Sequence, residues 1–358
     1  MVIVMAKKSS EAKNTEVKAD SGKLVIGVIG CGRIGKLHVQ NLIQNVPGVV
    51  VKTVADPMIE GVAEWLKGLG VANISKNADD VINDPEIKVV LICSSTDTHA
   101  KYSIAAAKAK KDIFCEKPID SNLDRIKEVL AAVKENGVKF MVGFNRRFDH
   151  NFKRIRDAAL KGDLGKIQII KITSRDPSPP PVSYVKVSGG LFFDMCIHDI
   201  DMARFQAGGD EVEEVYAMGD VQITPEIKGI DIDTAVLNIK FKSGIMAIID
   251  NCRQAVYGYD QRLEVFGTKG AAIADNDIPN MVKFYGKDAT CQDKIPLFFL
   301  ERYMGSYTEE IKQFFDCVKN NKDVPVTGQD GMMDVVVAMA ATKSVKENRV
   351  VKISEILK

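Results

Sequence analysis

The chain has 358 residues, of which 46% are hydrophobic and 27% are charged, and its formal net charge is +1. This length exceeds what a single compact core normally accommodates, so we expect two globular domains. The nearly balanced charge provides no basic field for nucleic acid, and no apolar run is long enough to cross a membrane. We therefore expect neither nucleic acid nor a membrane among its partners.

The amino-terminal tail and the cysteines indicate the cellular compartment. Residues 1–22 are rich in Lys, Ser, Glu, Asn and Asp and are predicted to be a disordered tail. The acidic Glu11, Glu16 and Asp20 disfavour a mitochondrial transit peptide. The seven cysteines form no Cys-x-x-Cys pair, and no Cys/His cluster has the spacing of a zinc site. Together these features predict a cytoplasmic protein with free thiols and without a metal site.

Residues 23–143 alternate between strand-like and helix-like segments. Apolar, β-branched runs predict strands at residues 23–29, 49–55, 89–93, 113–115 and 140–142. Helices are predicted at residues 33–45, 59–69, 100–109 and 123–136. Unbroken apolar strands that alternate with helices form a parallel sheet covered on both faces. We therefore predict an α/β fold that begins with a doubly wound parallel sheet of the Rossmann type.

The pattern changes after Gly143, where strand-like segments follow one another. Strands are predicted at residues 166–173, 212–223, 235–241, 245–251 and 262–266, and helices at 307–319 and 332–346. The segment Lys242-Ser243-Gly244 is a hairpin turn, and the proline-rich residues 176–181 form a rigid loop. Residues 144–358 therefore make up an α+β domain with a mostly antiparallel sheet. Its carboxy-terminal helices can pack back on the first domain.

A glycine-rich turn predicts a dinucleotide site. Gly30-x-Gly32-x-x-Gly35 follows the first strand and opens the first helix, which is the context that this motif requires. Gly30 permits the tight turn, Gly32 lets the backbone approach the pyrophosphate, and Gly35 lets helix and strand pack closely. Arg33 and Ile34 lie within the turn and belong to the same site. The alternative is a glycine-rich turn of another α/β protein.

Asp56 predicts which dinucleotide binds. It closes the second strand about 20 residues after the glycines, where an acid accepts hydrogen bonds from a ribose 2′-hydroxyl and repels a 2′-phosphate. Neither Pro57 nor Met58 offers a guanidinium for that phosphate. We therefore predict NAD rather than NADP, with a simple turn residue as the alternative role for Asp56.

Three residues further along the chain suggest oxidation of an alcohol. Lys117 follows a strand of the parallel sheet, and a lysine at such a strand end can stabilise a developing alkoxide. Asp194 and His198 are four residues apart, so they share a face if the segment is helical. A carboxylate can then orient the imidazole, which takes the hydroxyl proton. The alternatives are a surface lysine and an ion pair without chemistry.

With these residues in view, the chain resembles the family of glucose–fructose oxidoreductase and inositol dehydrogenase. The resemblance extends from Lys23 to the carboxyl terminus. Glu116-Lys117-Pro118 matches the Glu-Lys-Pro motif of the family, and Asp194 and His198 match its Asp-x-x-x-His motif. Three further stretches are similar to its inositol dehydrogenase members, namely 143–149, 175–177 and 257–260.

The resemblance also implies roles for residues that the motifs alone do not assign. It implies polyol contacts from the three catalytic residues and from Arg146, Asp201, Tyr259 and Asn145, and a place near the cofactor for Ser94 and Glu116. Asn145 and Ser174 depart from residues common in the family, which can alter the preferred isomer. A large open sheet in the second domain, which would bind the polyol and build a homotetramer, is implied as well.

The function predicted in this way is NAD-dependent oxidation of a secondary hydroxyl of a cyclic polyol, with myo-inositol converted to 2-keto-myo-inositol. His198 would act as the base, Asp194 would orient it, and Lys117 would polarise the oxygen. One alternative is a related dehydrogenase for another inositol isomer or a pyranose sugar. Others are a non-catalytic NAD-binding sensor and an enzyme that recycles a tightly held cofactor between two sugars.

Overall fold

The computed structural model describes residues 22–358, so the predicted disordered tail lies outside the described residues except for Gly22. The amino-terminal part alternates strands and helices in this order: β1 (Leu24–Ile29), α1 (Arg33–Asn45), β2 (Val49–Ala55), α2 (Ala63–Gly68), β3 (Asn73–Ser75), α3 (Asp79–Ile82), β4 (Val89–Ile92), α4 (Thr96–Lys108), β5 (Asp112–Glu116), α5 (Leu123–Asn136) and β6 (Phe140–Gly143). The six strands form one parallel sheet in the order β3-β2-β1-β4-β5-β6. The predicted Rossmann fold is therefore confirmed.

The second part is built around a seven-stranded sheet. Its elements are α6 (His150–Leu160), β7 (Ile167–Arg175), α7 (Val182–Val185), α8 (Leu191–Asp194), α9 (Ile197–Ala207), β8 (Val212–Asp220), β9 (Thr234–Phe241), β10 (Met246–Cys252), β11 (Asp260–Gly267), β12 (Gly270–Ala274), β13 (Lys283–Tyr285), β14 (Thr290–Gln292), α10 (Phe299–Lys319), α11 (Gly328–Glu347) and β15 (Val351–Lys352). The strand order is β12-β11-β7-β10-β9-β8-β15, and β13 pairs with β14 separately. Only the β7–β10 pair is parallel, which confirms the mostly antiparallel sheet.

Helix α10 connects the two hydrophobic cores. Its first half contributes Tyr303 and Tyr307 to the core under the seven-stranded sheet. Its second half contributes Ile311, Phe314 and Phe315 to the core of the parallel sheet. The predicted helix began only at residue 307, so the structure adds two turns at its start. Among residues 22–358, none of the helices is long and apolar enough to cross a membrane.

A buried polar cluster lies where α10 meets α1. His38 of α1 is fully buried, and its Nε2 lies 2.6 Å from Oε1 of Glu116, at the end of β5. Glu310 of α10 is also fully buried, and within residues 22–358 neither of its carboxyl oxygens has a hydrogen-bond partner. Burial raises the pKa of Glu310 well above its ordinary value, and the negative charges of Glu116 and Asp201 raise it further. Ionisation of Glu310 is therefore disfavoured in the folded protein.

Because the pKa of Glu310 is raised, we expect the folded protein to lose stability as the pH rises. A carboxyl group with a raised pKa in the folded state contributes stability below its unfolded pKa, near 4.5, and loses that contribution above it. Glu310→Gln keeps the shape and removes the ionisation, so we expect it to raise Tm by about 2–4 °C at pH 8. The gain should vanish near pH 4.5. Thermal denaturation across this range, with the exposed Glu309→Gln as control, measures it; an unchanged Tm at pH 8 would contradict the expectation.

Candidate active site

The glycine turn between β1 and α1 has the shape that a dinucleotide requires. Gly30 has a φ of 93°, and an added Cβ there would collide with the backbone of Cys93 and Ser94. An added Cβ at Gly35 would collide with the carbonyl of Gly30. At Gly32, in contrast, nothing lies within 4 Å of the added atom, so this position faces open space. Ser94, predicted to lie near the cofactor, is thus packed directly against the turn.

The start of α1 is suited to hold a pyrophosphate. Gly32 is the N-cap residue and supplies no side-chain cap, so backbone N–H groups of the first turn stay free for an anion. Asp56 at the end of β2 accepts hydrogen bonds from the amides of Cys31 and Met58, each at 2.7 Å. Asp56 therefore supports the glycine turn, and each of its oxygens retains a lone pair for a ribose hydroxyl.

A groove of about 690 Å³ adjoins the glycine turn on the outer side of α1. It is lined by Cys31, Gly32, Arg33, Lys36, Leu37, Gln40, Val62, Trp65, Leu300 and Met304. The guanidinium of Arg33 lies 5.2 Å from the ring centre of Phe298, just before α10, and Ile34 is half-buried. Arg33 is therefore held at the mouth of the turn, where its positive charge favours an anionic ligand.

Gly32 allows a direct test of this cradle. Because an added methyl at Gly32 meets no protein atom, Gly32→Ala should leave Tm unchanged. The methyl would occupy the path of the pyrophosphate, so we expect NAD affinity to fall by about 10- to 100-fold. Isothermal titration calorimetry with NAD measures the effect. Gly61→Ala, which also adds a methyl into open space, is the control. Equal NAD affinity in the two variants would mean that the pyrophosphate does not approach Gly32.

Lys117 lies where the two parts of the chain meet. It follows β5, and its Nζ donates a hydrogen bond of 2.9 Å to the backbone carbonyl of Asp194 at the end of α8. Burial lowers the pKa of Lys117, while the charges of Asp194 and Glu116 act in the opposite direction. The ammonium has three protons, and two remain for other acceptors. Lys117 can therefore donate to a ligand oxygen without leaving its place.

Asp194 and His198 do not form the predicted pair on one helix. Helix α8 ends at Asp194 and α9 begins at Ile197, so the chain is not continuously helical between the two residues. The Asp194 carboxylate accepts hydrogen bonds of 2.8 Å from Tyr184 and from Arg253. The structure gives each Asp194 oxygen one donor from another residue, and the orientation of the His198 ring by Asp194 stays a prediction.

Burial would by itself raise the pKa of Asp194. The positive charges of Lys117 and Arg253, with hydrogen bonds from Tyr184 and Arg253, instead hold that pKa below its ordinary value. Asp194 is therefore an ionised carboxylate at neutral pH. It contributes a fixed negative charge next to the Lys117 ammonium.

His198 is an uncharged imidazole in a largely buried position. Its ring lies edge-on to Phe144, with 6.0 Å between the ring centres. Burial lowers the pKa of His198 well below its ordinary value, and the positive charges of Lys117 and Arg146 lower it further. Nδ1 is buried and has no hydrogen-bond partner in the part of the chain that the structure describes. A neutral imidazole beside a lysine can accept a proton from a hydroxyl at its other nitrogen, Nε2.

Arg146 is held in a buried network behind these residues. Its guanidinium is 2.5 Å from Asp199 and 3.3 Å from the hydroxyl of Tyr259. Asn251 donates a hydrogen bond of 2.9 Å to the other oxygen of Asp199. Both predicted polyol contacts, Arg146 and Tyr259, are more than 90% buried and have partners within the protein. These partners hold both side chains in place, and their direct contact with a ligand stays a prediction.

Asp201, which is predicted to contact the polyol, lies in a buried ion pair. It is 0% exposed, and both of its carboxylate oxygens accept hydrogen bonds from the guanidinium of Arg147. Arg147 also lies 3.2 Å from Asp330 of α11. The polyol contact of Asp201 stays a prediction. The ion pair joins α9, the segment after β6 and α11.

Asn145 and Ser174 are likewise turned into the protein. The amide of Asn145 is 1% exposed and donates to the hydroxyl of Ser306 on α10. The hydroxyl of Ser174 is fully buried and donates to Gln261 on β11. Their expected effect on isomer preference stays a prediction, and with these partners it would be an indirect effect.

The sequence patterns missed Arg253 as a member of the site, and they gave no partner for Tyr184 or Asp176. Arg253 follows β10, is 5% exposed, and lies 3.3 Å from Asp176 in addition to its bond with Asp194. Asp176 and Arg253 each follow the end of a strand, and a charged residue directly after a strand is a signal that could have identified them. The partner of Tyr184 could not have been identified, because it depends on how the proline-rich loop folds.

These residues form a constellation of one lysine, one neutral imidazole and one ionised carboxylate near a dinucleotide cradle. Among residues 22–358, no group of His, Cys, Asp or Glu side chains could hold a metal ion. The fold and the cradle define an NAD-dependent oxidoreductase. The profile described as "Oxidoreductase family, NAD-binding Rossmann fold" matches residues 24–144, and that described as "Oxidoreductase family, C-terminal alpha/beta domain" matches residues 157–353. The chain belongs to the GFO/IDH/MocA oxidoreductase family.

Similar proteins cover almost the whole chain. It is 49% identical to an uncharacterized oxidoreductase, YrbE, of Bacillus subtilis, over 90% of this chain and 94% of the relative. It is 46% identical to a myo-inositol 2-dehydrogenase of Thermotoga maritima, over 93% of this chain and 99% of the relative. A crystal structure of scyllo-inositol dehydrogenase from Lactobacillus casei, with bound NAD(H) and scyllo-inositol, superposes with a TM-score of 0.86. It is 29% identical and covers 93% of this chain and 99% of that chain.

Proposed function

We propose that the protein oxidises one secondary hydroxyl of a cyclic polyol with NAD, and that myo-inositol is converted to 2-keto-myo-inositol. The observation that carries the proposal is the position of Lys117, which follows β5 and bonds to the backbone of Asp194 with the neutral His198 nearby. The name of the Thermotoga relative, at 46% identity, supports the choice of substrate. The many charged side chains around Lys117 suit a ligand with several hydroxyl groups.

His198 is the proposed base. Because its pKa is lowered, the imidazole is neutral at physiological pH and can take the hydroxyl proton at Nε2. Lys117 donates to the same oxygen and stabilises the negative charge that develops as the proton leaves. Bound NAD supplies the acceptor for the hydride from the carbinol carbon. Asp194 keeps Lys117 charged through its own negative charge and anchors the ammonium through its carbonyl.

The Lactobacillus complex with scyllo-inositol supports a second candidate substrate, another inositol isomer. A pyranose sugar is compatible with the same catalytic residues. Family membership favours an enzyme over a non-catalytic NAD-binding sensor, because the matched profiles describe oxidoreductases. Release of NADH into solution would distinguish a dehydrogenase from an enzyme that recycles a tightly held cofactor between two sugars.

The experiment that tests the proposal is NADH formation by the purified protein, followed by absorbance. Substrates are myo-, scyllo- and D-chiro-inositol, glucose and xylose, each with NAD and with NADP. We expect clear turnover of myo-inositol with NAD. Turnover of only another isomer or a sugar would keep the mechanism and change the substrate. Tight NAD binding without turnover of any of them would contradict the proposed function.

We further propose that the protein is a homotetramer assembled through the open face of the seven-stranded sheet. Apolar side chains on this face are 36–62% exposed in the single chain: Met218, Val236, Met246, Ile248, Phe266 and Ile273. They lie on strands β8 to β12, among charged pairs such as Lys171–Glu264. An apolar area of this kind on one face of a sheet is typical of a surface that binds a partner.

Analytical ultracentrifugation tests this assembly. Val236→Asp with Ile248→Asp places two charges on the open face, and we expect the tetramer to dissociate. Leu160→Asp on α6, where the side chain is 67% exposed, is the control and should leave the mass unchanged. A monomeric parent protein would contradict the proposal directly.

The domain boundaries and the compartment are also proposals. We infer that residues 23–143 bind NAD and that residues 144–358 bind the polyol and assemble the oligomer. The two matched profiles support a boundary near residue 144. All seven cysteines are free, and five of them are buried, which supports a reducing compartment such as the cytoplasm.

A further inference from the structure

Arg253 contacts two carboxylates from different parts of the second domain. Its Nη2 donates to Asp194 at 2.8 Å, and its Nη1 lies 3.3 Å from Asp176, which follows β7. The amide of Arg253 donates to the carbonyl of Asp233 at 2.8 Å, so the backbone is held as well. The side chain is therefore fixed at both ends, between β10 and the loop that carries Asp176.

Because Arg253 is buried, changing this arrangement would cost free energy. The residue is 5% exposed, and a buried guanidinium is tolerated when carboxylates pair with it. Arg253 is not part of the sequence motifs, and the family resemblance implies no role for it. A buried arginine that merely neutralised charge could pair with Asp176 alone, but here one of its nitrogens is bonded to the residue that also anchors Lys117.

We propose, on the basis of the proposed function, that Arg253 is a positioning residue for the oxidation. It fixes the carboxylate of Asp194, and thereby the peptide whose carbonyl holds the Lys117 ammonium. The negative charge of Asp194 is thereby kept beside Lys117. Arg253 acts through Asp194 and does not itself take part in proton or hydride transfer.

Several charged and titratable groups act on Asp194. Those that interact with it electrostatically are Lys117, Arg253, Tyr184, Asp176 and Asp231. The two cations favour the ionised form of Asp194, whereas the two carboxylates disfavour it. Removing Arg253 leaves Asp176 and Asp194 facing each other with one cation fewer. The pKa of Asp194 must then rise, and the carboxylate loses a bond that fixes its direction.

The test compares Arg253→Gln with a charge-balanced double variant, Arg253→Gln with Asp176→Asn. The single variant leaves a buried carboxylate without its partner and can fail to fold, whereas the double variant removes one charge of each sign. We expect kcat/KM for myo-inositol to fall by about 100-fold in both, with NAD affinity unchanged. The acid limb of the pH profile should move to higher pH. Arg175→Gln, which breaks an arginine–aspartate pair with Asp250 on the same sheet, is the control.

A second readout needs no substrate. ¹³C NMR of carboxyl-labelled aspartate, assigned with Asp194→Asn, follows the ionisation of Asp194 in the NAD-bound protein. We expect its pKa to rise in the double variant, because Arg253 acts on Asp194 through both its charge and a hydrogen bond whereas Asp176 acts through its charge alone. The pKa should stay low in Arg175→Gln. Recovery of near-parental kcat/KM in the double variant, or an unchanged pKa of Asp194, would overturn the positioning role. An inactive parent protein with a normal NMR response would instead contradict the proposed function alone.

Discussion

Replacing His198 with alanine is expected to lower kcat by about 10²–10⁴-fold, the range for loss of a general base. The side chain is a neutral imidazole near Lys117, because burial and the nearby cations Lys117 and Arg146 lower its pKa. The free base therefore predominates above that lowered pKa, and in the parent enzyme kcat/KM should fall only as the pH drops toward it. Steady-state kinetics with myo-inositol at several pH values measures both effects.

The controls for His198→Ala separate chemistry from folding. NAD affinity should stay nearly unchanged, because the glycine turn is built by β1 and α1. His150→Ala removes an imidazole that is 71% exposed and should retain full activity. A His198→Ala enzyme with parental kcat would show that another group takes the hydroxyl proton.

Replacing Lys117 with methionine is expected to lower kcat by about 10²–10³-fold, the range for loss of one donor to a developing oxyanion. Methionine keeps much of the apolar length of the side chain but cannot donate to the substrate oxygen or to the carbonyl of Asp194. Lys117→Arg should not restore activity, because the guanidinium is larger and planar. Rapid-quench or steady-state kinetics would quantify the loss in both variants.

Stability measurements complete the test of Lys117. A buried ammonium costs free energy, so Lys117→Met should not lower Tm, in contrast to its effect on turnover. Lys127→Met, at an exposed lysine paired with Asp124 on α5, is the matched control and should change neither quantity. Full activity of Lys117→Met would remove the lysine from the mechanism. A large drop in Tm would mean that its hydrogen bond to Asp194 is needed for folding.

The first domain was predictable because its signals are local. The bounds of α1, β2 and α5 agree with the predicted ranges. They follow from the hydrophobic periodicity within each segment and from the glycines or prolines next to it. In that domain only the short β3 and α3 were not predicted. The prediction of the second domain was less complete, because α6, α7 and strands β12 to β15 were missed and α10 begins eight residues before its predicted start. The early turns of α10 pack on the second core, so tertiary contacts stabilise them.

The site shows the same division. A lysine after a parallel strand is a local pattern, and the structure places the Lys117 ammonium against the backbone carbonyl of Asp194, while its role in catalysis stays a prediction. Asp194 and His198 do not share one helix, because the helical chain is interrupted between α8 and α9. Spacing of four residues brings side chains together only while one helix continues. No local feature of the sequence indicated that Asp201 would pair with Arg147 in the protein interior.

The sequence by itself determined the Rossmann sheet, the dinucleotide turn at Gly30–Gly35 and the strand end that carries Lys117. Each is specified by residues within a few positions of one another, so local sterics and hydrophobic periodicity are enough. Only the tertiary structure decided that Asp194 bonds to Arg253, 59 residues away, and that Asp201 pairs with Arg147, 54 residues away. Such pairs form because a buried charge must find an opposite charge, and the packing of distant segments decides which one is within reach.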